Sequence, residues 1–356
     1  MHWNILLKTY AFSIFFITIL CTMFPILGLI VADGILAANK LRSIVFPSRN
    51  RFDKKVSRIH KIVVGGWISG GVIALLLIAG MIFGAYDFRL KEQTIALKEL
   101  PPGFDGLRIV HFSDIHLGSW TKKEKLQEAV SMIMATRPDL IVFTGDMFNW
   151  STSEGEGFQD ILKQVHAPLG VFAILGNHDY GDYMIWPSDT AKRKNMDDLL
   201  LFYKFLNWRL LRNEHATIRK NGDSLALIGV ENWGATKRFQ RHGDITKALL
   251  GTEGMTFYIL LSHDPTHWDQ VILKSHPEID LTLSGHTHGG QFGIDVPWLH
   301  WSPVIWVYKE WCGLYSISSG KTVQHLYVNQ GLGNIGYAGR VGILPEITLL
   351  ILKKSD

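Results

Sequence analysis

Only two cysteines occur in 356 residues. One pair cannot staple a small secreted scaffold, and Cys21 lies in an apolar run, so cysteine usage says nothing about redox compartment. A dominant charge is missing too: 36 Lys and Arg stand against 32 Asp and Glu, a formal net charge of +4. No stripe of Lys and Arg interleaved with aromatics appears in the polar part of the chain, so no nucleic acid is expected as a partner. Internal repeats and low-complexity tracts are also missing, and a mildly positive mean hydropathy argues against disorder.

Long apolar runs, by contrast, are present. Residues 9–32 hold no charged residue, and neither do residues 62–86. Each exceeds the roughly 20 residues that carry a helix across a bilayer. Pro25 and the glycines inside them are tolerated in such helices, and Gly66 and Gly70 offer a small-residue face on which the two could pack. A cleaved signal peptide fits the first run poorly, because the run is too long and only Lys8 precedes it. Between the runs lie Lys40, Arg42, Arg49, Arg51, Lys54, Lys55, Arg58 and Lys61 against Asp33 and Asp53 alone. A short loop this basic stays in the cytoplasm, which places the rest of the chain on the far side: in a bacterium, the periplasm or outer surface. Residues 1–86 are therefore expected to be a two-span anchor in a bacterial inner or plasma membrane. Residues 87–106, polar and ending in Pro101-Pro102-Gly103, read as a linker, and residues 107–356 as a catalytic domain.

Within that domain, strand-like runs finish in metal-binding side chains. Residues 107–116 end in Asp114 and His116, residues 139–146 in Gly145-Asp146, and residues 170–179 in Asn177-His178-Asp179. Residues 257–264 end in His263-Asp264, and residues 280–291 in Gly285-His286-Thr287-His288-Gly289-Gly290-Gln291. Helices are expected between them at 122–136, 157–165 and 195–206, with Leu126, Val130, Ile133 and Met134 at helical spacing. Past His215 the pattern becomes hairpin-like, with Asn221-Gly222 as a tight turn and further strands at 224–230, 322–329 and 346–352. Alternating strands and helices mean a layered α/β fold, whose strand ends gather at one edge. A cluster of Asp, Asn and His there suits two metal ions, whereas any one such residue alone is usually a turn or cap.

These five blocks, in this order, resemble the signature of the calcineurin-like metallophosphoesterases. The resemblance covers residues 107 to about 352, and the Gly289-Gly290-Gln291 extension is similar to a membrane-anchored bacterial subgroup. It implies a four-layer α/β/β/α sandwich carrying two divalent ions, of Mn, Zn, Fe or Co type. One ion is then held by Asp114, His116, Asp146 and His288, and the other by Asp146, Asn177, His263 and His286, with Asp146 as the bridge through its two oxygens. A metal-bridging hydroxide attacks phosphorus, His178 serves as the non-ligand catalytic histidine, and Asp179 fixes its tautomer. The implied substrate is a phosphoester, plausibly lipid-linked or of the cell envelope, with the bilayer as a partner. Two alternatives stand beside this: a cytoplasmic UDP-2,3-diacylglucosamine-type pyrophosphate hydrolase, and a non-catalytic scaffold on the same fold.

One position departs from the family pattern. Asn149 stands where an Asp three residues after Asp146 is usual, which predicts altered bonding around the metals rather than their loss. Residues 331–336 spell G-x-G-x-x-G but lack the helix a dinucleotide site needs, so they read as a loop near the metals. Arg340 just beyond is read as a phosphate contact or a solvated arginine. His111, His166, His215, His242, His267, His276, His300 and His325 are read as ordinary residues. Trp186, Trp298, Trp301, Trp306 and Trp311 fall in loops, where they either pack in the core or meet an acyl chain or the membrane interface.

Overall fold

The computed structural model describes residues 2–45, 59–236, 239, 241–296, 298–319 and 322–355. The basic residues Arg49, Arg51, Lys54, Lys55 and Arg58, with Asp53, lie outside the described residues.

Helix α1 runs His2–Val45 and helix α2 His60–Ile82, and both are long and apolar enough to cross a membrane. They pack antiparallel through small residues. A Cβ on Gly66 would stand 2.8 Å from the Phe24 carbonyl and 2.9 Å from the Pro25 Cα, so glycine is what lets the two backbones touch.

The chain then enters a strand at once. β1 (Arg89–Leu97) pairs in parallel with β14 (Glu346–Lys354) over nine residues. The stretch 87–106, expected as a linker, is thus largely an edge strand whose buried Ile95 and Leu97 reach the interior. Its exposed and half-buried residues alternate as a one-faced strand requires, and charge on both faces, with Lys91 on the inward one paired to buried Glu346 at 3.2 Å, made it look like a tether.

The first sheet has the order β1-β14-β2-β3-β4-β5, with β2 Arg108–Phe112, β3 Leu140–Phe143, β4 Val171–Ala173 and β5 Arg209–Leu210. The second is β12-β13-β9-β8-β7-β6. Its strands are β6 Glu214–Lys220, β7 Asp223–Gly229, β8 Tyr258–Leu261, β9 Leu281–Ser284, β12 Gly313–Ser319 and β13 Thr322–Val328. β10 (Ile294–Val296) and β11 (Leu299–Trp301) form a separate hairpin. β6 and β7 turn through Asn221 and Gly222, both at positive φ (54° and 88°), as a two-residue hairpin demands.

Three apolar layers glue four structural ones. Between the sheets, Ile109, Val142 and Ile174 face Leu227, Ile259 and Leu283. Outside the first sheet lie α3 (Lys123–Ala135), α4 (Gln159–Leu162) and α5 (Asp189–Leu206). Outside the second, Ile245 and Ala248 of α6 (Ile245–Leu249) pack with Trp268 and Ile272. This is the α/β/β/α sandwich. α4 is shorter than expected. α5 begins at Asp189, six residues early, because the Ser188 hydroxyl accepts the Ala191 N–H and caps a polar first turn that periodicity does not reveal. β2, β3 and β4 run parallel to one another, as do β7, β8, β9 and β13. The loops after their carboxyl ends therefore leave along one edge of the sandwich.

Candidate metal centre

At that edge the backbone is bent to aim side chains inward. Asp114, His116, Asp146, His286 and His288 all have φ between 50° and 73°, a region costly for residues with a Cβ and concentrated at functional sites. The loops hold each other in place: the Asp114 N–H donates to Gly145 O at 2.9 Å, His116 N–H to Asp146 O at 3.1 Å, and Gly285 N–H to His263 O at 2.9 Å. Two of the bonds that cross between the sheets involve the candidate ligands. His263 Nδ1 meets Thr144 O at 2.6 Å, and the His286 N–H donates to Asp114 Oδ2 at 2.9 Å.

Six of the candidate ligands fall into two groups: Asp114, His116 and His288 in one, Asp146, His263 and His286 in the other, with the ligand atoms of each group within 4.8 Å of one another. Asp146 Oδ2 lies between the groups, 3.6 Å from His116 Nε2 and 3.2 Å from His263 Nε2. Its Oδ1 accepts the His178 N–H at 2.8 Å. Oδ2 is thus the oxygen that reaches both groups, while Oδ1 is engaged by the His178 backbone. Asn177 Nδ2 donates to the Tyr183 hydroxyl at 2.9 Å, leaving Oδ1 as its ligand-type atom.

The donor set fits divalent cations. His116 Nδ1 and His263 Nδ1 face backbone carbonyls and must carry their protons there, so Nε2 is the atom each turns toward the site. Yet His116 Nε2 lies 3.1 Å from His288 Nε2, and His263 Nε2 lies 3.2 Å from His286 Nδ1. Asn177 Oδ1 is buried with no hydrogen-bond partner among the described residues, and Asp114 Oδ1 faces His288 Nε2 at 3.2 Å. Burial disfavours charge on Asp114 and Asp146, but the surrounding imidazoles outweigh it and hold both carboxyls well below the usual range. Burial lowers His116, His178 and His286; His263, also buried, is instead lifted to about 10 by Asp146. Two buried carboxylates that pull a proton onto the nearest imidazole call for positive charge, and imidazole with carboxylate and amide oxygens suits Mn, Fe or Zn better than Ca.

A calcineurin-like phosphoesterase family model matches residues 107–290. The chain belongs to this family. It is 33% identical to a transmembrane protein with a metallophosphoesterase domain from Danio rerio, over 87% of this chain and 70% of that one. An uncharacterized metallophosphoesterase, YkuE, of Bacillus subtilis is also 33% identical, over 74% and 85%. UDP-2,3-diacylglucosamine pyrophosphatase LpxG of Chlamydia trachomatis is 29% identical, over 64% and 78%.

Two expectations for this family member are corrected by its structure. Asp179 does not orient His178. Its Oδ2 accepts the N–H groups of Asp146 and Gly176 at 2.9 Å, and its Oδ1 that of Met147 at 2.9 Å. His178 Nδ1 meets Asn149 O at 2.8 Å instead, so a backbone carbonyl sets the tautomer and leaves Nε2 as the proton-handling atom. Arg340 is neither solvated nor a phosphate contact. It is 1% exposed, and its guanidinium donates to the carbonyls of Gln330, Gly331, Gly333 and His288. Burial brings it down to about 10, still protonated at neutral pH.

The unusual Asn149 donates through Nδ2 to Ser119 Oγ at 2.8 Å. Its backbone is held by a residue that sequence reading passed over: Glu154, wholly buried, accepts the N–H groups of Asn149 (2.6 Å) and Trp150 (2.9 Å). The Ser151-x-x-Glu154 spacing is a helix-start pattern and was the available signal. Tyr308, 2.8 Å from His286 Nε2, had none. Of the loop tryptophans, Trp311 is buried and stacks on His300, whereas Trp298 and Trp306 are 84% and 78% exposed.

Proposed function

We propose that this chain is a membrane-anchored, dinuclear-metal phosphoester hydrolase. The observation that carries the reading is the position of Asp146 Oδ2 between two three-residue ligand groups, with His178 on the wall of the same cavity, whose volume is about 590 Å³. Asp114, His116 and His288 would hold one ion and His263, His286 and Asn177 the other, with Asp146 serving both. Such a pair, of Mn, Zn or Fe, supplies charge neutralisation at the phosphoryl group and an acidified water. The protein's own part is to fix that geometry from five loops, keep the ligands out of bulk water, and present His178 Nε2 to the attacking or leaving oxygen. Asp179 is a positioning residue for the Asp146 loop.

The substrate is proposed to be lipid-linked or from the cell envelope, and the domain to lie outside the cytoplasm, opposite the basic residues Lys40, Arg42 and Lys61. The likeness to LpxG supports a second reading, cleavage of a nucleotide-linked lipid pyrophosphate at the cytoplasmic face. A C-terminal alkaline phosphatase fusion separates the two: activity of the fused reporter supports the exported placement, and silence favours the pyrophosphatase. The chemistry is tested with purified full-length protein, added Mn and bis(p-nitrophenyl) phosphate. Wild type turns over and Asp146→Ala does not; equal turnover by the variant would remove the proposed centre.

A further inference from the structure

The cavity over the metal ligands is walled in part by the first membrane helix. Lys8, Thr9 and Phe12 of α1 line it together with His178, His286 and His288. This seating is built, not incidental. Ser13 is fully buried, and its Oγ accepts the Ala338 N–H at 2.9 Å. Phe16 and Tyr337 are ring neighbours at 5.8 Å. The Tyr337 hydroxyl donates to Leu77 O of α2, and the Arg340 N–H to Gly80 O at 3.2 Å. The loop that Arg340 ties to His288 is thus bonded to both helices about a turn or two inside their apolar runs, so with those runs spanning a bilayer the mouth of the cavity would lie where the helices leave it.

The faces of α1 that continue from this wall are apolar and uncovered: Phe12 is 50% exposed, Phe15 62% and Ile19 46%. Lys8 is the one Lys, Arg, Asp or Glu in α1 before Asp33. A site for a water-soluble ester has no use for a wall that runs on into lipid, whereas an amphiphile matches it end to end: anionic group at the metals and Lys8, chain along the Phe12 face.

We infer that α1 is a substrate-binding element as well as an anchor. The substrate is an amphiphilic phosphoester that enters sideways from the bilayer, with Lys8 positioning an anionic oxygen and Phe12 guiding the chain. This rests on the metal-dependent hydrolase reading above. The ammonium of Lys8 stays near the interface on its apolar stem, where a charge-assisted contact with phosphate is strongest.

The test uses the full chain in nanodiscs with Mn and a dodecyl phosphate bearing a diazirine close to its phosphate. Photolabel is expected on the α1 segment around Thr9 to Phe12 and on the 335–338 loop. Excess dodecyl phosphate should suppress it at least about fivefold and ethyl phosphate should not, since each methylene of the chain adds to burial. Lys8→Gln should raise the half-protecting dodecyl phosphate concentration about tenfold, and Lys8→Arg should restore it. Label spread along both helices and indifferent to competitor, in nanodiscs that still hydrolyse bis(p-nitrophenyl) phosphate, would reduce α1 to an anchor and overturn the inference. Nanodiscs that hydrolyse nothing would instead remove the metal-centre reading, and the inference with it.

Discussion

Asp179 holds Asp146 by the backbone: one carboxylate oxygen accepts the Asp146 N–H at 2.9 Å while the side chain of Asp146 turns away toward the ligand groups. With Gly176 and Met147 also donating to it, Asp179 closes the β3 and β4 loops onto each other. Burial and the Asp146 charge push its carboxyl up to about 7, against N–H donors that favour the anion. Asp179→Asn would turn one acceptor oxygen into an amide facing N–H groups. The expected outcome is a 10–100-fold weaker metal affinity, the usual effect of losing a residue that orients ligands, measured by titrating Mn into the metal-free variant. A change confined to kcat, with Mn affinity untouched, would return Asp179 to the role of partner for His178.

His178 lines the cavity without belonging to either ligand group. Its removal should therefore separate chemistry from metal binding. His178→Ala is expected to lose about 10²–10⁴ in kcat, the range for a positioned acid or base, while metal analysis still finds two ions per chain. Loss of an ion along with activity would make His178 a ligand instead.

The site was legible because its residues sit in blocks at strand ends, where residue type and position both follow from the sheet edge. Asp114, Asp146 and His263 needed only a run of buried apolar residues and a glycine or serine to be placed. What stayed hidden was whatever acts through backbone atoms. The carbonyl of Asn149 that faces His178, and the four carbonyls around Arg340, have no side-chain signature. β1 was hidden for a different reason: Arg89 and Lys91 stand on the same face as the buried Ile95 and Leu97, with Lys91 paired to the buried Glu346, and Glu92 stands on the other, so charge on both faces gave it the composition of a linker. The seating of α1 over the ligand groups depends on where two helices meet a loop far along the chain, 325 residues on for Ser13 and Ala338 and 260 for Leu77 and Tyr337, and apolar runs alone do not specify that contact.

His267 offers a prediction about acid stability. It is buried, with Nδ1 2.9 Å from Ser262 Oγ and its ring against Trp233, and burial lowers it to about 3. The unfolded chain takes up a proton near 6.5 and the folded protein does not, so stability is fully present above pH 6.5 and is lost as pH falls from there toward 3. At pH 4.5 the loss is about 3 kcal/mol from this group. His267→Gln should melt less steeply against pH between 7 and 4.5 than wild type, compared in the same detergent after metal removal. Parallel pH profiles would mean that His267 is protonated in the folded state.

Arg340 joins the apolar helices to the candidate ligand groups in a single residue. Its backbone donates to Gly80 O of α2, and its guanidinium donates to His288 O and to three carbonyls of the loop whose Gly333 N–H in turn bonds Asp114 O at 2.8 Å. Arg340→Met fills similar space but leaves those buried carbonyls without donors, at about 1–3 kcal/mol each where no water replaces the bond. A lysine would satisfy fewer of them, since it has three donors and no planar fork. The expected order of thermal stability is wild type, then Arg340→Lys, then Arg340→Met. Because the lost bonds lie on the His288 side, Arg340→Lys should also weaken Mn binding, whereas a surface change such as Arg193→Lys on α5 should leave it alone. Were Arg340→Met as stable as wild type and equally tight for Mn, the guanidinium would be an occupant of the site and not its brace.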